Sequence, residues 1–478
     1  MEKSILFVTS QVYPFVTGTM GIFNYSLPKN LIKLGWDARV IVPKINKSYK
    51  TYPSEVEIIA RLNIKMDEKI YPCTVEACTY DGVPMYFINA GHYFGRDKLY
   101  GYSDEVERFS YFCKAVLETV PKLDFKPQIL HCQDWHAGYI PLLLKTKYKN
   151  IKEYSSIKTL LTIHNMGYQG IFDKENSVFL DLDWEDLVRC NVDYYNQINF
   201  MKAGIRYADT ITTVSPTYSK EIATEQYGST LEETIRSRRS DIHGVLCGLD
   251  IEINNPAKDM RLFANYNAEN LEGKYENKRL LQKALNFQVR NDVPVISLFS
   301  RLKTEKGLDL VRSVFDDLMK SDIQFVMVSD GDAIYEEFFQ RASKKHPDKF
   351  SFILYDNDFA YKAYAGSDLF LMPSSYEPCG IGQLIALRYG TVPIVRQVGG
   401  LNDSIKHYNE GSGEGNGFTF KPYNAKVMLY TIRKAIEMYH RKDQWVKIIK
   451  NGMTEDHSWS KYVSQYVEVY KQMIQEAL

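Results

Sequence analysis

The chain has 478 residues, more than one ordinary hydrophobic core organises, which predicts two or three domains. Hydrophobic residues make up 45% of it and charged residues 25%, which is typical of a soluble globular protein. Lysine plus arginine and aspartate plus glutamate both total 59, so the balanced charge gives no electrostatic reason to expect nucleic acid or an anionic membrane as a partner.

The beginning of the chain, MEKSILFVTS, carries an apolar run that is too short for the core of a signal peptide. No later stretch approaches the roughly 18 apolar residues of a membrane-spanning helix. The seven cysteines are scattered without a C-x-x-C pair, which favours neither a disulfide framework nor a zinc site. We therefore expect a cytoplasmic protein.

Short apolar runs rich in β-forming residues alternate with longer segments of helical period. The predicted buried strands are, in chain order, 5–9, 38–42, 160–164, 210–214, 293–299, 325–329, 352–355, 369–372 and 392–395. The helix-like segments between them include 27–34, 106–120, 308–320 and 425–439. This alternation predicts an α/β class with parallel sheets covered by helices on both faces.

The alternation stops near residues 248–270, a stretch rich in asparagine that has no clear periodicity and is typical of a linker. It divides the chain into halves of similar size, each predicted to form one nucleotide-fold domain. Ligands of such sheets bind beyond the carboxyl ends of the strands, so two facing domains would enclose a substrate cleft.

Two cations lie at a predicted strand-to-helix junction in the second half. Arg301 and Lys306 are five residues apart in SRLKTEKG (300–307), between a buried strand and a helix. Both can reach one diphosphate, beside the backbone N–H groups of a helix start. The alternative is a solvated basic turn.

A second loop, PSSYEPCGIGQ (373–383), also follows a buried strand and opens a helix. The carboxylate of Glu377 can accept hydrogen bonds from sugar hydroxyls or stabilise a cationic transition state. Gly380 and Gly382 would let backbone N–H groups approach a phosphate closely.

In the first half, HCQDWH (131–136) and TIHN (162–165) lie at the ends of predicted strands. Histidine, aspartate and asparagine beside an aromatic ring suit the recognition of sugar hydroxyls. His131, Asp134 and His136 also suggest a metal site. We disfavour this interpretation because no further ligand is spaced on a helix. The plainer alternative is structural histidines with satisfied hydrogen bonds.

Together these segments resemble the bacterial glycogen synthase and plant starch synthase family, over nearly the whole chain. The landmarks appear in order: SLPKNLIKLGWDARVIVP (26–43), YGYSDEVERFSYFCKA (100–115), HCQDWHAGYIPLLL (131–144), LTIHNMGYQGIF (161–172), NFMKAGIRYADTITTVSPTYSKEI (199–222), SRLKTEKGLDL (300–310) and MPSSYEPCGIGQLIALRYGTVPIVRQVGGLNDSI (372–405). The last of these is highly specific.

The resemblance implies the GT-B architecture, two Rossmann-like domains facing across a cleft. The first domain would span 1–248 and bind the acceptor, and the second would span 271–455 and bind the nucleotide sugar. Residues 249–270 would link them, and a final helix in 456–478 would cross back to the first domain.

The implied activity is transfer of α-glucose from ADP-glucose, or less often UDP-glucose, to the nonreducing end of an α-1,4-glucan, with retention of anomeric configuration. The resemblance implies neither a metal nor another cofactor, and the balanced charge gives no reason to expect nucleic acid or a membrane as a partner.

Carried over residue by residue, the resemblance implies that Arg301 and Lys306 bind the donor diphosphate and stabilise the leaving group. It places Glu377 and His164 beside the transferring glucose, and Asp134 in the motif that lines the acceptor side.

The resemblance also implies a set of donor-binding residues, of which Tyr355 would stack on the nucleobase. The full set is Gly18, Gly21, Asn165, Tyr355, Cys379, Gly380, Ile381 and Gly382.

The sequence departs from the family in its first loop, which normally reads Lys-Thr-Gly-Gly-Leu-Gly-Asp-Val. Val16 stands in place of the phosphate-facing lysine and Ile22 in place of the aspartate, and Gln133 stands where histidine is usual. A charge-assisted hydrogen bond is worth about 1.5–3 kcal/mol, or about 10–150-fold in rate or affinity. We expect weakened donor use, although the backbone N–H groups at Gly18 and Gly21 could still meet the phosphates.

Three alternatives stay open from the sequence. The chain could be a transferase of the same family with an altered donor or acceptor, or a non-catalytic paralogue that binds glucan or nucleotide. A glycoside hydrolase is a weaker rival, because its chemistry needs two carboxylates about 5–10 Å apart and no diphosphate grip.

Overall fold

The structure is a computed structural model that describes residues 3–16, 18–45 and 56–475. Two compact units make up the chain. The first comprises Met1–Cys247 together with Trp459–Leu478, and the second comprises Gly248–Ser458.

The first unit contains a nine-stranded sheet and a small three-stranded sheet. The strands are β1 (Ser4–Val8), β2 (Asp37–Pro43), β3 (Glu57–Met66), β4 (Lys69–Tyr80), β5 (Val83–Asn89), β6 (Ile129–Gln133), β7 (Lys158–Ile163), β8 (Ile171–Asp173), β9 (Asp193–Tyr194), β10 (Gln197–Asn199), β11 (Thr210–Thr213) and β12 (Ile242–Gly244). The large sheet has the order β12-β11-β7-β6-β1-β2-β5-β4-β3, and β8, β10 and β9 form the small one.

The strands of the large sheet are parallel except for β4, which runs antiparallel to both of its neighbours. Every residue of β1 and β6 is buried, as expected for strands covered on both faces. The strand order reverses between β1 and β6, because β2 and β5 lie on one side of β1 and β6, β7 and β11 on the other. A ligand site is expected beyond the carboxyl ends of these two strands.

The helices of the first unit before Cys247 cover this sheet. They are α1 (Thr19–Lys33), α2 (Gly91–Phe94), α3 (Glu105–Thr119), α4 (Asp134–Ala137), α5 (Ile140–Lys145), α6 (Trp184–Arg189), α7 (Phe200–Tyr207), α8 (Pro216–Glu221) and α9 (Glu232–Arg236). α1 begins eight residues before the predicted start at residue 27, and it contains Pro28. Burial of its inner face, which includes Phe23 and Leu27, outweighs the cost of proline in a helix interior.

The second unit is a six-stranded, fully parallel sheet in the order β15-β14-β13-β16-β17-β18. Its strands are β13 (Val295–Leu302), β14 (Gln324–Gly331), β15 (Phe350–Ile353), β16 (Leu369–Met372), β17 (Val392–Arg396) and β18 (Phe418–Phe420). The order reverses between β13 and β16, which places the expected ligand site of this unit beyond those two strands.

The helices of the second unit are α10 (Glu272–Ala284), α11 (Leu308–Ser313), α12 (Phe315–Met319), α13 (Ala333–Lys345), α14 (Asn357–Gly366), α15 (Gly382–Arg388), α16 (Gly399–Ser404), α17 (Ala425–Tyr439) and α18 (Lys442–Thr454). The predicted helix 308–320 is wrong in one respect. It is broken at Val314, whose φ of −116° and ψ of 13° lie outside the helical region, into α11 and α12.

The stretch predicted as a linker, 249–270, lies in the second unit and packs on it. Tyr266 is buried in the core, and its hydroxyl donates to the backbone oxygen of Tyr389 at 2.8 Å. The Tyr389 hydroxyl in turn donates to Asp259 at 2.6 Å.

The last helix, α19 (Trp459–Gln475), belongs to the first unit, where it packs on α1. The Tyr470 hydroxyl lies 2.9 Å from Nδ1 of His131, on strand β6. Within the described ranges, no helix is long and apolar enough to cross a membrane.

Candidate active site

The carboxylate of Glu377 and the ammonium of Lys306 form an ion pair in the second unit, with Nζ 2.8 Å from Oε2. Lys306 ends a 3-10 turn, Thr304–Lys306, that follows β13, and Glu377 lies in the loop between β16 and α15. The hydroxyl of Ser374 donates to the same carboxylate oxygen at 3.0 Å. The reversal of strand order brings together two charges that are 71 residues apart in the chain.

The two loops that carry this pair are fastened to each other. Both the backbone N–H and the hydroxyl of Ser375 donate to the backbone oxygen of Glu305, at 2.9 and 3.2 Å. Gly307 has a φ of +74°, and a Cβ there would lie 2.2 Å from the backbone oxygen of Pro373. Only glycine fits this position, so the contact fixes where Lys306 can lie relative to Glu377.

Two glycines at the start of α16 lie directly against the backbone of the Glu377 loop. The N–H of Gly400 donates to the backbone oxygens of Glu377 at 3.2 Å and Pro378 at 3.1 Å. A Cβ on Gly399 would lie 2.0 Å from the Glu377 oxygen, and one on Gly400 would lie 1.9 Å from that of Cys379. Nothing in the local sequence marks these two glycines, because their role depends on this close approach.

The position of Arg301 in the structure differs from the predicted one. The strand predicted over 293–299 continues to Leu302, because Arg301 and Leu302 pair with Asp330 and Gly331 of β14. Arg301 is therefore part of β13 and not of the following turn. Its exposed guanidinium has no hydrogen bond or ion pair with any residue that the structure describes, so it is available to an anion.

The turn after Glu377 is held by a buried glutamine. Gly380 has a φ of +69°, and Gln383 Nε2 lies within 3.2 Å of the backbone oxygens of Cys379 and Gly380 and of the Ser404 hydroxyl. Cys379 is buried, while Ile381 and Gly382 are half-buried at the start of α15. A ligand at this turn would therefore meet backbone groups rather than side chains.

Tyr355 follows strand β15 at the end of the sheet order. Its ring is 53% exposed, and its hydroxyl reaches Asn357 at 3.4 Å. The exposed ring face is what a stacked base requires.

In the first unit, Asp134 and His164 follow the adjacent strands β6 and β7 and are joined by a hydrogen bond. The backbone N–H of His164 donates to Asp134 Oδ1 at 2.7 Å, and Asp134 adopts a φ of +53° at the start of α4. Burial raises the pKa of Asp134 to about 7, although hydrogen bonds from the backbone of residues 164 and 165 oppose the shift. Asp134 thus fixes the backbone at residue 164.

The imidazole of His164 is half-buried between an amide side chain and an aromatic ring. Its Nε2 lies 2.8 Å from the side-chain oxygen of Gln133, and the ring of Phe23 packs edge-on against it at 4.7 Å between centroids. Burial lowers the pKa of His164 to about 3, so the ring is neutral at pH 7. Gln133 is the residue that orients it.

The loop before α1 folds back on itself. The N–H of Tyr13 donates to the backbone oxygen of Gly21 at 3.0 Å, and a Cβ on Gly21 would lie 2.3 Å from the Val16 oxygen. Gly18 precedes the first residue of α1. Ile22, in place of an aspartate, is 39% exposed.

Gln11 and Tyr100 are further candidate site residues that the sequence did not single out. The Tyr100 hydroxyl lies 2.8 Å from both the Ser10 hydroxyl and Gln11 Nε2, just beyond β1. The side-chain oxygen of Gln11 is 3.0 Å from where a Gly18 Cβ would be. The strand-end rule at β1 could have found Ser10 and Gln11, but nothing local points to Tyr100, 89 residues away.

Asn165 lies next to His164, and its side-chain oxygen accepts the N–H of Gly167 at 2.9 Å. His131 is a satisfied structural histidine, since Nε2 lies 2.6 Å from the Thr162 hydroxyl and Nδ1 meets Tyr470. Within residues 3–16, 18–45 and 56–475, no group of three or more His, Cys, Asp or Glu side chains is placed to hold a metal ion.

Comparison with protein families matches residues 4–237 to the starch synthase catalytic domain and residues 282–452 to the glycosyl transferases group 1. The chain is 45% identical to the glycogen synthase of Clostridium novyi (strain NT) over 475 residues, which cover 98% of this chain and 99% of the relative. It is 43% identical to the glycogen synthase of Bacillus cereus (strain B4264), covering 99% of this chain and 100% of the relative.

Among solved structures, the catalytic domain of starch synthase IV from Arabidopsis thaliana, bound to ADP and acarbose, matches with a TM-score of 0.91 and 30% identity. The match covers 99% of this chain and 100% of that one. Sucrose-phosphate synthase from Thermosynechococcus elongatus shares the fold, with a TM-score of 0.63, 15% identity and 99% of both chains covered. The predicted fold class, two α/β domains of the GT-B type, is confirmed.

Proposed function

The chain belongs to the glycogen synthase family, and we propose from this premise that it moves an α-glucosyl group from a nucleoside diphosphate glucose to the nonreducing end of an α-1,4-glucan. ADP-glucose is the favoured donor, with UDP-glucose as the second candidate. The proposal is supported by full-length identities above 40% to glycogen synthases.

The observation that carries the proposal is the ion pair between Lys306 and Glu377. In glucosyl transfer the bond between C1 and the phosphate oxygen breaks, and its electron pair stays on the diphosphate. Positive charge then grows on the glucosyl ring. A cation and a carboxylate 2.8 Å apart suit these two charges, and they are placed before the reaction begins.

Lys306 keeps two N–H bonds for phosphate oxygens while it holds Glu377, and the unpaired guanidinium of Arg301 adds a second, bidentate donor. The new bond forms between C1 and the 4-hydroxyl oxygen of the acceptor, and the hydroxyl proton passes to the departing phosphate. We propose that the reaction needs no metal, since these two cations supply the positive charge.

In the first unit, we assign different roles to Asp134 and His164. The neutral imidazole of His164 would donate or accept hydrogen bonds with the glucosyl group. Asp134 is a positioning residue, because its carboxylate is occupied by the backbone N–H of His164. The donor-binding roles of Gly18, Gly21, Asn165 and Tyr355 rest on the family resemblance.

The decisive experiment mixes purified protein with glycogen and either ADP-glucose or UDP-glucose and follows nucleotide release. We expect turnover with ADP-glucose. Turnover with UDP-glucose alone would favour a transferase with an altered donor. Retention of glycogen without turnover from either donor would favour a non-catalytic paralogue, and sugar release without any donor would favour a hydrolase.

A further inference from the structure

An open cavity of about 390 Å³ lies in the second unit at the outer edge of its sheet. Its walls are the edge strand β18, one face of helix α17, the turn at 407–410 and Arg441. Among the described residues, its lining shares none with the candidate active site. Strand β17 separates β18 from β16, which puts about 10 Å between the cavity strand and the strand leading to Glu377. The volume is that of a small-molecule site.

One face of α17 supplies an aromatic platform to this cavity. Val427, Tyr430, Lys434 and Glu437 recur every three or four residues, so they share a single helix face. Tyr430 is 62% exposed, and the ammonium of Lys434 lies 5.7 Å from its ring centroid. The tyrosine ring therefore faces solvent beside charged groups and contributes little to the core.

The charges around the platform cancel. Lys434 pairs with Glu437 at 2.7 Å, and Arg441 pairs with Glu410. A phosphorylated ligand would meet two carboxylates here, and a cationic ligand would meet two cations. A neutral ligand rich in hydroxyl groups would find donors in the cations and acceptors in the carboxylates, with a flat ring for its C–H face.

We propose that this cavity binds a stretch of α-glucan, as a second polysaccharide site apart from the chain end that reacts. The inference rests on the proposed function for the identity of the sugar polymer. A second contact would keep a branched polymer near the active site between transfers, because it raises the local concentration of chain ends.

The test compares the full-length protein with Tyr430→Ala, Tyr430→Phe and a matched control, Tyr275→Ala, which removes a tyrosine that is 49% exposed on helix α10. Migration in native gels that contain glycogen gives a dissociation constant without any nucleotide sugar. We expect Tyr430→Ala to weaken glycogen binding about 5- to 30-fold. Tyr430→Phe keeps the ring, so it and the control should stay within about 2-fold of the wild type.

Kinetics separate this site from the active site. With maltotriose as acceptor, Tyr430→Ala should match the wild type, whereas its KM for glycogen should rise. Unchanged glycogen binding in Tyr430→Ala would overturn the proposal, as would a loss of ADP binding in that variant. If glycogen retention depends on Tyr430 but no nucleotide is released by the wild type, the proposed function fails and the site stands. If the wild type releases nucleotide normally but Tyr430→Ala binds glycogen as well as the wild type does, only the proposed second site is refuted.

Discussion

Lys306 and Glu377 come from different loops of the second unit and meet at 2.8 Å, with the Lys306 side chain 24% exposed and that of Glu377 11% exposed. A largely buried pair of this kind resists rearrangement when a charged substrate arrives, because both loops are tied by Ser375 and Gly307. In the proposed reaction, the ammonium of Lys306 is thus already in place for the leaving diphosphate.

Replacing Lys306 with alanine should lower kcat by about 100- to 1,000-fold, since it removes a donor to the diphosphate as charge develops there. Lys306→Arg keeps the charge and should recover part of the rate. Steady-state nucleotide release at saturating donor gives kcat, and thermal unfolding of each variant checks the fold. A Lys306→Ala enzyme with wild-type kcat would rule out the assigned role.

Adding one methyl group at Gly399 should disturb the site without changing any charged side chain. The new Cβ would lie 2.0 Å from the backbone oxygen of Glu377, so the loop must move. We expect Gly399→Ala to lose about 1–3 kcal/mol of unfolding free energy and up to about 100-fold in kcat. Gly91→Ala is the control, because a Cβ at Gly91 meets nothing within 4 Å. Equal activity in the two variants would contradict this reading of the loop.

The unfolding free energy of the protein should depend on pH in a way that Asp134 determines. Burial raises its folded pKa to about 7, above the unfolded value of about 3.9. The folded state therefore binds the proton more tightly. The stability that this proton gives is complete below about pH 4 and is lost as the pH rises through 7.

Asp134→Asn removes this titration and keeps an oxygen for the His164 N–H. The unfolding free energy of the wild type should fall relative to the variant between pH 4 and 7, by at most about 1.4 kcal/mol per pH unit. Above pH 7 the difference should level off. Urea unfolding at several pH values measures it, and a difference that does not change with pH would show that Asp134 is ionised as readily in the folded chain as in the unfolded one.

Restoring the lysine of the first loop should improve donor use. In Val16→Lys, a cation would stand beside the turn that carries Gly18 and Gly21, and we expect kcat/KM for the donor to rise about 10-fold or more. Val16→Met adds similar length without charge and should leave kcat/KM unchanged. Equal values for both variants would mean that position 16 does not face the phosphates.

Local patterns predicted most of the central strands of both sheets to within two or three residues, because strands buried on both faces appear as uninterrupted apolar runs. The start of α1 was missed, since Pro28 favours a helix that begins near it and only packing reveals the earlier turns. Both the Lys306 loop and the Glu377 loop follow predicted strands, and the strand-end rule applied to parallel strands puts such loops at one edge of the sheet.

Long-range contacts were beyond the sequence. The pairing of Gln11 with Tyr100 and the support of Glu377 by Gly399 depend on approaches between distant segments, and neither leaves a local pattern. Likewise, the occupation of the Asp134 carboxylate by the His164 N–H appears only when β6 and β7 are neighbours. Sequence supplied the residue types, and packing decides which of them position others.

The most direct measurement of the central claim is the incorporation of radiolabelled glucose from ADP-glucose into glycogen, followed by digestion with an exo-enzyme specific for α-1,4 linkages. We predict that label enters the polymer in step with ADP release, that the digestion frees all of it, and that Glu377→Ala nearly abolishes incorporation. Failure to label glycogen from either ADP-glucose or UDP-glucose, by a folded protein that binds glycogen, would contradict it.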